Sequence, residues 1–243
     1  MTGFDSIAPF YDTLWTQTSV GDLQRQAVWK LIDPLFQPGA VVLDAGCGTG
    51  ADAVHLRQAG IHVHGIDSSA EMVRITRAKG IDAHVHSIEQ LCDLGGCFDG
   101  AISNFGALNC VKSIQPIAGE LGRLIRPGGF VALCFLGRIC LWEIGYYLLR
   151  GDFTKALRRL SGRAQSSYRI EVFYHSRRAI LKAFQDKFIL CRQSGIGVTV
   201  PPSYVRSFSQ PVLAMLAALD SKLASWPVFR SIADHQLYIW RRI

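Results

Sequence analysis

Apolar residues in the first half of the chain fall into short runs, each ended by a turn-forming residue and followed by a stretch with helical spacing. Residues 4–36 read as helical and stop at Pro34 and Pro38-Gly39, because proline lacks the amide that a helix interior needs. Val41-Val42-Leu43 is an apolar run that breaks at glycines, as a strand buried on both faces does. The same pattern predicts helices over 52–59, 69–79, 114–125 and 176–184, with Gly60 and Gly80 closing the first two. It predicts further strands over 61–66, 83–86, 99–104, 130–136, 188–198 and 235–240, with Pro127-Gly128-Gly129 turning into the fifth strand. Strands alternating with helices imply an α/β fold: a doubly wound, mostly parallel, seven-stranded sheet with helices on both faces. No repeat or low-complexity linker appears, so residues 1–243 read as one domain. Residues 137–175 and 200–230 exceed what the alternation needs. Insertions after the later strands of such a sheet fall near the ligand crevice. They are expected to be helical cap insertions over a substrate, with 1–40 a helical lid and 41–136 the ligand-binding core.

Composition narrows the class. With 49% hydrophobic and 19% charged residues the chain is globular rather than disordered. The seven cysteines include no CxxC pair and no zinc-ligand spacing, which favours buried, reduced thiols and a structure without metal. Met1 to Tyr11 lacks a signal-peptide pattern, so a cytoplasmic location is expected. Phe130 to Leu149 is long and apolar, but Arg138 and Glu143 interrupt it, each costing roughly 2.5–3.5 kcal/mol at a bilayer centre. No transmembrane segment is expected. The formal net charge of +7 is concentrated in residues 150–182, where nine Lys or Arg (150, 155, 158, 159, 163, 169, 177, 178, 182) face only Asp152 and Glu171. Such a segment is either a solvated face or a surface for nucleic acid, anionic lipid or an acidic substrate.

The candidate chemistry begins at V-V-L-D-A-G-C-G-T-G, residues 41–50, a strand running through three glycines into a helix. Glycine lets the backbone turn sharply and approach a ligand, and Asp67, ending the next strand, can accept both hydroxyls of a ribose. Together they point to an adenosine-containing ligand. Gly46, Gly48 and Ala51 formally satisfy a dinucleotide pattern. Asp44, two residues before the first glycine, would repel a pyrophosphate and suits a ligand carrying an ammonium and a sulfonium.

These segments resemble the motifs of class I S-adenosylmethionine-dependent methyltransferases. V-L-D-A-G-C-G-T-G and G-I-D-S-S-A-E-M are similar to that family's first two motifs, and F-D-G-A-I-S-N and L-I-R-P-G-G-F to its fourth and fifth strand motifs. The opening F-D-S-I-A-P-F-Y-D resembles the N-terminal helix of the ubiquinone/menaquinone methyltransferase-like, small-molecule branch. The resemblance implies a Rossmann-like fold and S-adenosylmethionine as cofactor. It implies that Gly46, Gly48 and the loop around Cys47 border the methionyl part, Asp67 binds the ribose, and Ser68 and Met72 flank the adenine. Ser87, Ile88 and Glu89 follow the third strand beside the adenine, Asn104 and Phe105 lie by the sulfonium, and Tyr11 closes over the donor.

A base matters only if the acceptor must lose a proton. The candidates are His175 and Glu143, with Tyr174 weaker; Glu143 equally suits a structural pairing with a cap arginine, and His175 a capping role. Asn109, Trp142, Tyr146 and Tyr174 are expected to line an acceptor pocket suited to a small apolar or aromatic molecule. His62, His64, His84 and His86 alternate on strands and read as sheet residues. Methylation of nucleic acid along the basic segment, and dinucleotide-dependent oxidoreduction, stay open as alternatives.

Overall fold

The structure is a computed structural model that describes residues 3–166, 168, 170–205 and 208–243. Arg169 of the basic segment lies outside the described residues. The chain begins with α1 (Ala8–Tyr11), a π-helical turn over Asp12–Thr16 and α2 (Ser19–Ile32). Thr18 starts α2 by accepting the Gly21 amide at 3.0 Å, which satisfies one of the amides a helix start leaves open. Then follow β1 (Val41–Ala45), α3 (Ala51–Gln58), β2 (His62–Asp67), α4 (Ala70–Ala78), β3 (Asp82–Val85), β4 (Phe98–Ser103), α5 (Gln115–Leu124) and β5 (Ile125–Leu136). The remainder is α6 (Leu141–Leu148), α7 (Phe153–Leu157), β6 (Arg163–Gln165), β7 (Glu171–Phe173), α8 (Arg177–Phe184), β8 (Phe188–Ile196), α9 (Gln210–Leu223), α10 (Pro227–Ser231) and β9 (His235–Arg242).

Seven strands form one sheet in the order β3-β2-β1-β4-β5-β9-β8. All pairs among β1 to β5 are parallel, and β9 runs antiparallel to both β5 and β8. The central strands are apolar on both faces because helices cover both. Leu43, Val131 and Leu133 face a core with α5 and α8, while Val42, Ile102 and Ala132 face one with α2 and α3. Chain order reverses at β1, between β2 and β4, so the carboxyl ends of β1 and β4 border a crevice.

The expected alternation is present, with one difference in the insertions. Residues 137–175 are not wholly helical: β6 and β7 form a two-stranded hairpin after α6 and α7. Three residues per strand are too few for a period of two to stand out, and only Ala164 and Val172 mark the inward face. The seven cysteines are free thiols. Among the described residues no helix is long and apolar enough to cross a membrane.

The basic segment is less of an open cationic face than its sequence suggests. Arg158 and Arg159 turn inward onto Glu143, Lys155 pairs with Asp152, and Arg150 lies over the Tyr146 ring.

Candidate functional site

The loop after β1 is held by its own backbone. The Gly46 and Cys47 amides both donate to the Ile66 carbonyl, at 2.8 and 2.9 Å, and the Gly50 amide donates to the Cys47 carbonyl at 2.9 Å. The Gly48 amide donates to Asp67 Oδ2 at 2.9 Å, and the Ser69 amide to Oδ1 at 2.9 Å. Thr76 Oγ1 on α4 donates to the Gly48 carbonyl at 2.7 Å. The carboxylate of Asp67 therefore stands fixed at the end of β2 with lone pairs left over on each oxygen. Burial raises its pKa, partly offset by those two amides.

The N-terminal segment is fastened over this loop. Asp12 accepts from Thr49 Oγ1 at 2.5 Å and pairs with Lys79 at 2.8 Å. Ser69 Oγ donates to Asp5 at 2.6 Å. These bonds place Phe4, Ile7, Tyr11 and Trp15 along one side of a cavity of about 450 Å³.

Of the residues expected to bind a donor, Tyr11, Gly46, Gly48, Asp67, Ser68, Met72, Ser87, Ile88, Glu89, Asn104 and Phe105 all line that one cavity. Asp44 and Cys47 do not line it. Cys47 packs behind the loop with Val73 and Ala83, and burial lifts its thiol out of the nucleophilic range. Asp44 is 2% exposed and its Oδ2 has no hydrogen-bond partner; burial, then the nearby Asp52 carboxylate, push its pKa well up against the opposing effect of Arg25. Asn104, at the end of β4, is 7% exposed and neither amide atom has a partner. Phe105 has φ of 53°, the one positive value at a non-glycine residue among those described. That conformation is uncommon for a side chain of this size. It sets the ring under the Arg25 guanidinium, 4.7 Å away, and edge-on to His235.

The expected acceptor and base residues divide. Tyr174 and Glu143 line the cavity; His175, Asn109, Trp142 and Tyr146 do not. His175 Nε2 lies 3.3 and 3.0 Å from the carbonyls of Leu108 and Val111, so that nitrogen must carry a proton, and burial lowers the pKa. Trp142 Nε1 donates to the Thr199 carbonyl at 3.0 Å, and Tyr146 stacks edge-on with Tyr147 and Tyr204. Asn109 is fully buried: its Nδ2 donates to the Phe173 carbonyl at 2.7 Å and its Oδ1 accepts the Leu136 amide at 2.8 Å. It clamps β7 to the end of β5. Asn109→Ala is expected to cost about 1–3 kcal/mol in urea unfolding, since two backbone groups lose a partner.

Glu143 is 1% exposed and bound on both oxygens. Oε1 accepts Arg158 Nε at 2.9 Å and Arg159 Nε at 3.0 Å; Oε2 accepts Arg158 Nη2 at 2.8 Å, Arg159 Nη2 at 3.0 Å and the Tyr204 hydroxyl at 3.0 Å. Burial would raise this carboxyl, but the two guanidinium groups outweigh it and hold it below the ordinary glutamate range. Arg159 continues to Asp234 Oδ1 at 2.7 Å and to the Gly137 and Asp234 carbonyls. The cluster ties the first insertion to the ends of β5 and β9, and through Tyr204 to the second.

Sequence reasoning missed four cavity residues that bear on the chemistry: Arg25, Arg159, Asp234 and His235. Arg159 was visible only as a member of a charged run, and His235 only as the start of a strand.

Residues 42–129 match the methyltransferase domain family. Over 141 residues the chain is 36% identical to malonyl-[acyl-carrier protein] O-methyltransferase of Pectobacterium atrosepticum, an alignment covering 57% of this chain and 55% of that protein. Demethylmenaquinone methyltransferase of Paenarthrobacter aurescens is 29% identical over 158 residues, 61% of each chain. The chain thus spans little more than half the length of these relatives. A SAM-dependent methyltransferase of Thermotoga maritima shares the fold, with a TM-score of 0.63 over 98% of this chain and 97% of that one, at 15% identity.

Proposed function

We propose that this chain, which carries a methyltransferase domain over residues 42–129, binds S-adenosylmethionine between the carboxyl ends of β1 and β4 and transfers its methyl group to a small molecule held beneath the insertions. The observation that carries this reading is where the glycine-loop amides go. Those of Gly46, Cys47, Gly48 and Gly50 are all spent within the protein, one of them on Asp67 itself. A dinucleotide's pyrophosphate needs such amides free. What remains facing the cavity is acidic and polar: Asp67 at the ribose position, the unpartnered Asn104 amide and Arg25 Nε.

The residues present fit the donor. A Cβ placed on Gly48 would meet nothing within 4 Å, so this glycine leaves space beside the loop. Asp67 would hold the ribose hydroxyls, Met72 and Ile88 the adenine, and Arg25 and Asn104 the methionyl end. When bound, the sulfonium supplies a methyl group already activated for displacement. The chain has then mainly to align an acceptor and keep water out. Ile170, Val172, Tyr174 and Tyr204 supply a half-apolar wall for a small apolar or aromatic acceptor. With Arg158 and Arg159 spent on Glu143, the phosphate track that a nucleic-acid substrate needs is depleted.

Calorimetry with S-adenosylhomocysteine and with NADH tests the reading: binding of the former is expected, and binding of NADH alone would overturn it. Incubating cell-extract metabolites with S-adenosylmethionine labelled on its methyl group should yield a species that carries the label and is heavier than its parent by that methyl less one hydrogen. Asp67→Ala is expected to weaken S-adenosylhomocysteine by about 1.5–3 kcal/mol, roughly ten- to a hundredfold in Kd, because hydrogen bonds to a charged group are lost. Unchanged affinity in a folded variant would remove Asp67 from the ribose.

A further inference from the structure

Where β5 ends, the cavity is lined by a histidine. His235 opens β9 opposite Leu136, the last residue of β5, and so stands at the same edge of the sheet as Asn104 and Phe105. It lines the cavity, is 8% exposed, and meets the Phe105 ring edge-on at 5.3 Å. Its Nδ1 is buried 3.3 Å from Asp234 Oδ2, close enough for an ion pair but out of line for a hydrogen bond. No hydrogen bond among the described residues engages its Nε2.

We propose that His235 is the general base of the methyl transfer, oriented by Asp234, and that the acceptor is therefore protic: an O–H, N–H or acidic C–H compound. This rests on the methyltransferase reading above.

The charge on Asp234 is what gives the ring its direction. Burial alone would raise that carboxyl, but His235 and Arg159 outweigh it and hold it far below the ordinary aspartate range. Arg159 Nη2 at 2.7 Å and Gln24 Nε2 at 3.3 Å fix its two oxygens. A carboxylate beside Nδ1 favours the tautomer with the proton there, leaving the Nε2 lone pair for the cavity. Catalytic hydrogen bonds are often loose before substrate arrives, and a small ring rotation would align this one. The competing bases lack a free lone pair or charge. His175 has its Nε2 against two carbonyls, Glu143 accepts five hydrogen bonds, and burial raises the Tyr174 phenol.

The step balances without an added reagent. The acceptor's X–H bond breaks, its proton passes to Nε2, and its electron pair forms the new bond to the methyl carbon. The sulfur–methyl bond breaks with its pair going to sulfur, which becomes a neutral thioether. The imidazolium then gives its proton to water.

Two measurements test this. Nitrogen-15 NMR of the imidazoles in the protein saturated with S-adenosylhomocysteine reads the tautomer directly, with the His235 signal identified by its loss in His235→Gln. A ring protonated on Nδ1 with a bare Nε2 is expected; protonation on Nε2 would overturn the proposal. Asp234→Asn should move the tautomer towards Nε2–H, but it also strips Arg159 of a partner, so the unsubstituted protein is the primary measurement. Initial rates with labelled donor and extract metabolites should fall about a hundredfold or more in His235→Gln, the usual share of a positioned base. S-adenosylhomocysteine affinity should change far less than the rate, which separates a base from a donor-binding residue. Transfer at the parent rate would overturn the base. Failure of the parent to bind S-adenosylhomocysteine would overturn the donor reading and the base with it, whereas binding together with an Nε2–H ring overturns the base alone.

Discussion

Replacing Glu143 with alanine is expected to destabilise the fold by about 3–5 kcal/mol, because removing one partner of a buried ion pair leaves the other charge uncompensated. The loss is uneven across its two partners. Arg158 keeps 30% of its side chain exposed and can return to water, whereas Arg159 keeps 7% and cannot. Arg159 would retain only Asp234 as an anion, and the Tyr204 hydroxyl would lose its acceptor. Urea unfolding with a shared m-value reads the change. A variant as stable as the parent would show that water enters the cluster freely and that its ion pairs hold nothing together.

The same cluster should make the protein acid-sensitive. Glu143 and Asp234 both titrate below their ordinary values in the folded protein, because arginines, and for Asp234 also His235, outweigh the effect of burial. A carboxylate of this kind contributes stability that is complete above the unfolded pKa, about 4. That contribution is lost as pH falls through the lower, folded value. Unfolding free energy should therefore fall steeply below about pH 4, and less steeply in Glu143→Gln. These bonds also answer the question of Glu143 as a base. It is charged at neutral pH, but every lone pair that could take a proton already faces a donor.

The sheet was legible because its strands carry their burial in the sequence. Val42, Leu43 and Val131 to Phe135 are apolar on both faces since both faces are covered, and the glycines just beyond them are local signals. The side of the cavity proposed to hold the donor could be traced for the same reason: Gly46, Gly48, Asp67 and Asn104 line it from strand ends whose positions follow from chain order. The acceptor side could not. Trp142, Tyr146 and Asn109 have the right composition for a pocket wall, yet each is turned aside by a partner far along the chain: Thr199, Tyr204, and Phe173 with Leu136. No periodicity encodes such contacts. Asp44 shows a limit of another kind. Its position beside the first glycine was readable, but its near-complete burial, outside the cavity lining, was not. What disfavours a pyrophosphate is therefore the loop amides already bonded to Ile66 and Asp67, not the Asp44 charge.

Gly48→Val is expected to weaken S-adenosylhomocysteine binding at least a hundredfold, roughly 3 kcal/mol. Two effects act together. Gly48 has φ of +53°, a conformation that a β-branched residue rarely adopts, at a cost of about 1–3 kcal/mol. Its Cβ would also project where no protein atom lies within 4 Å, which is the space beside Asp67 that the donor needs. Gly46 separates the two effects. Its φ is +80°, but its Cβ would run into the Ala107 methyl, so Gly46→Ala should lower thermal stability before it touches affinity. At Gly48 the order should reverse: Gly48→Ala, with one carbon in open space, should lose affinity by more than its unfolding free energy changes. Calorimetry beside thermal unfolding on the three variants decides it. If S-adenosylhomocysteine still bound Gly48→Val as it binds the parent, the ligand could not be lying against this loop, and the assignment of the cleft between β1 and β4 would fall with it.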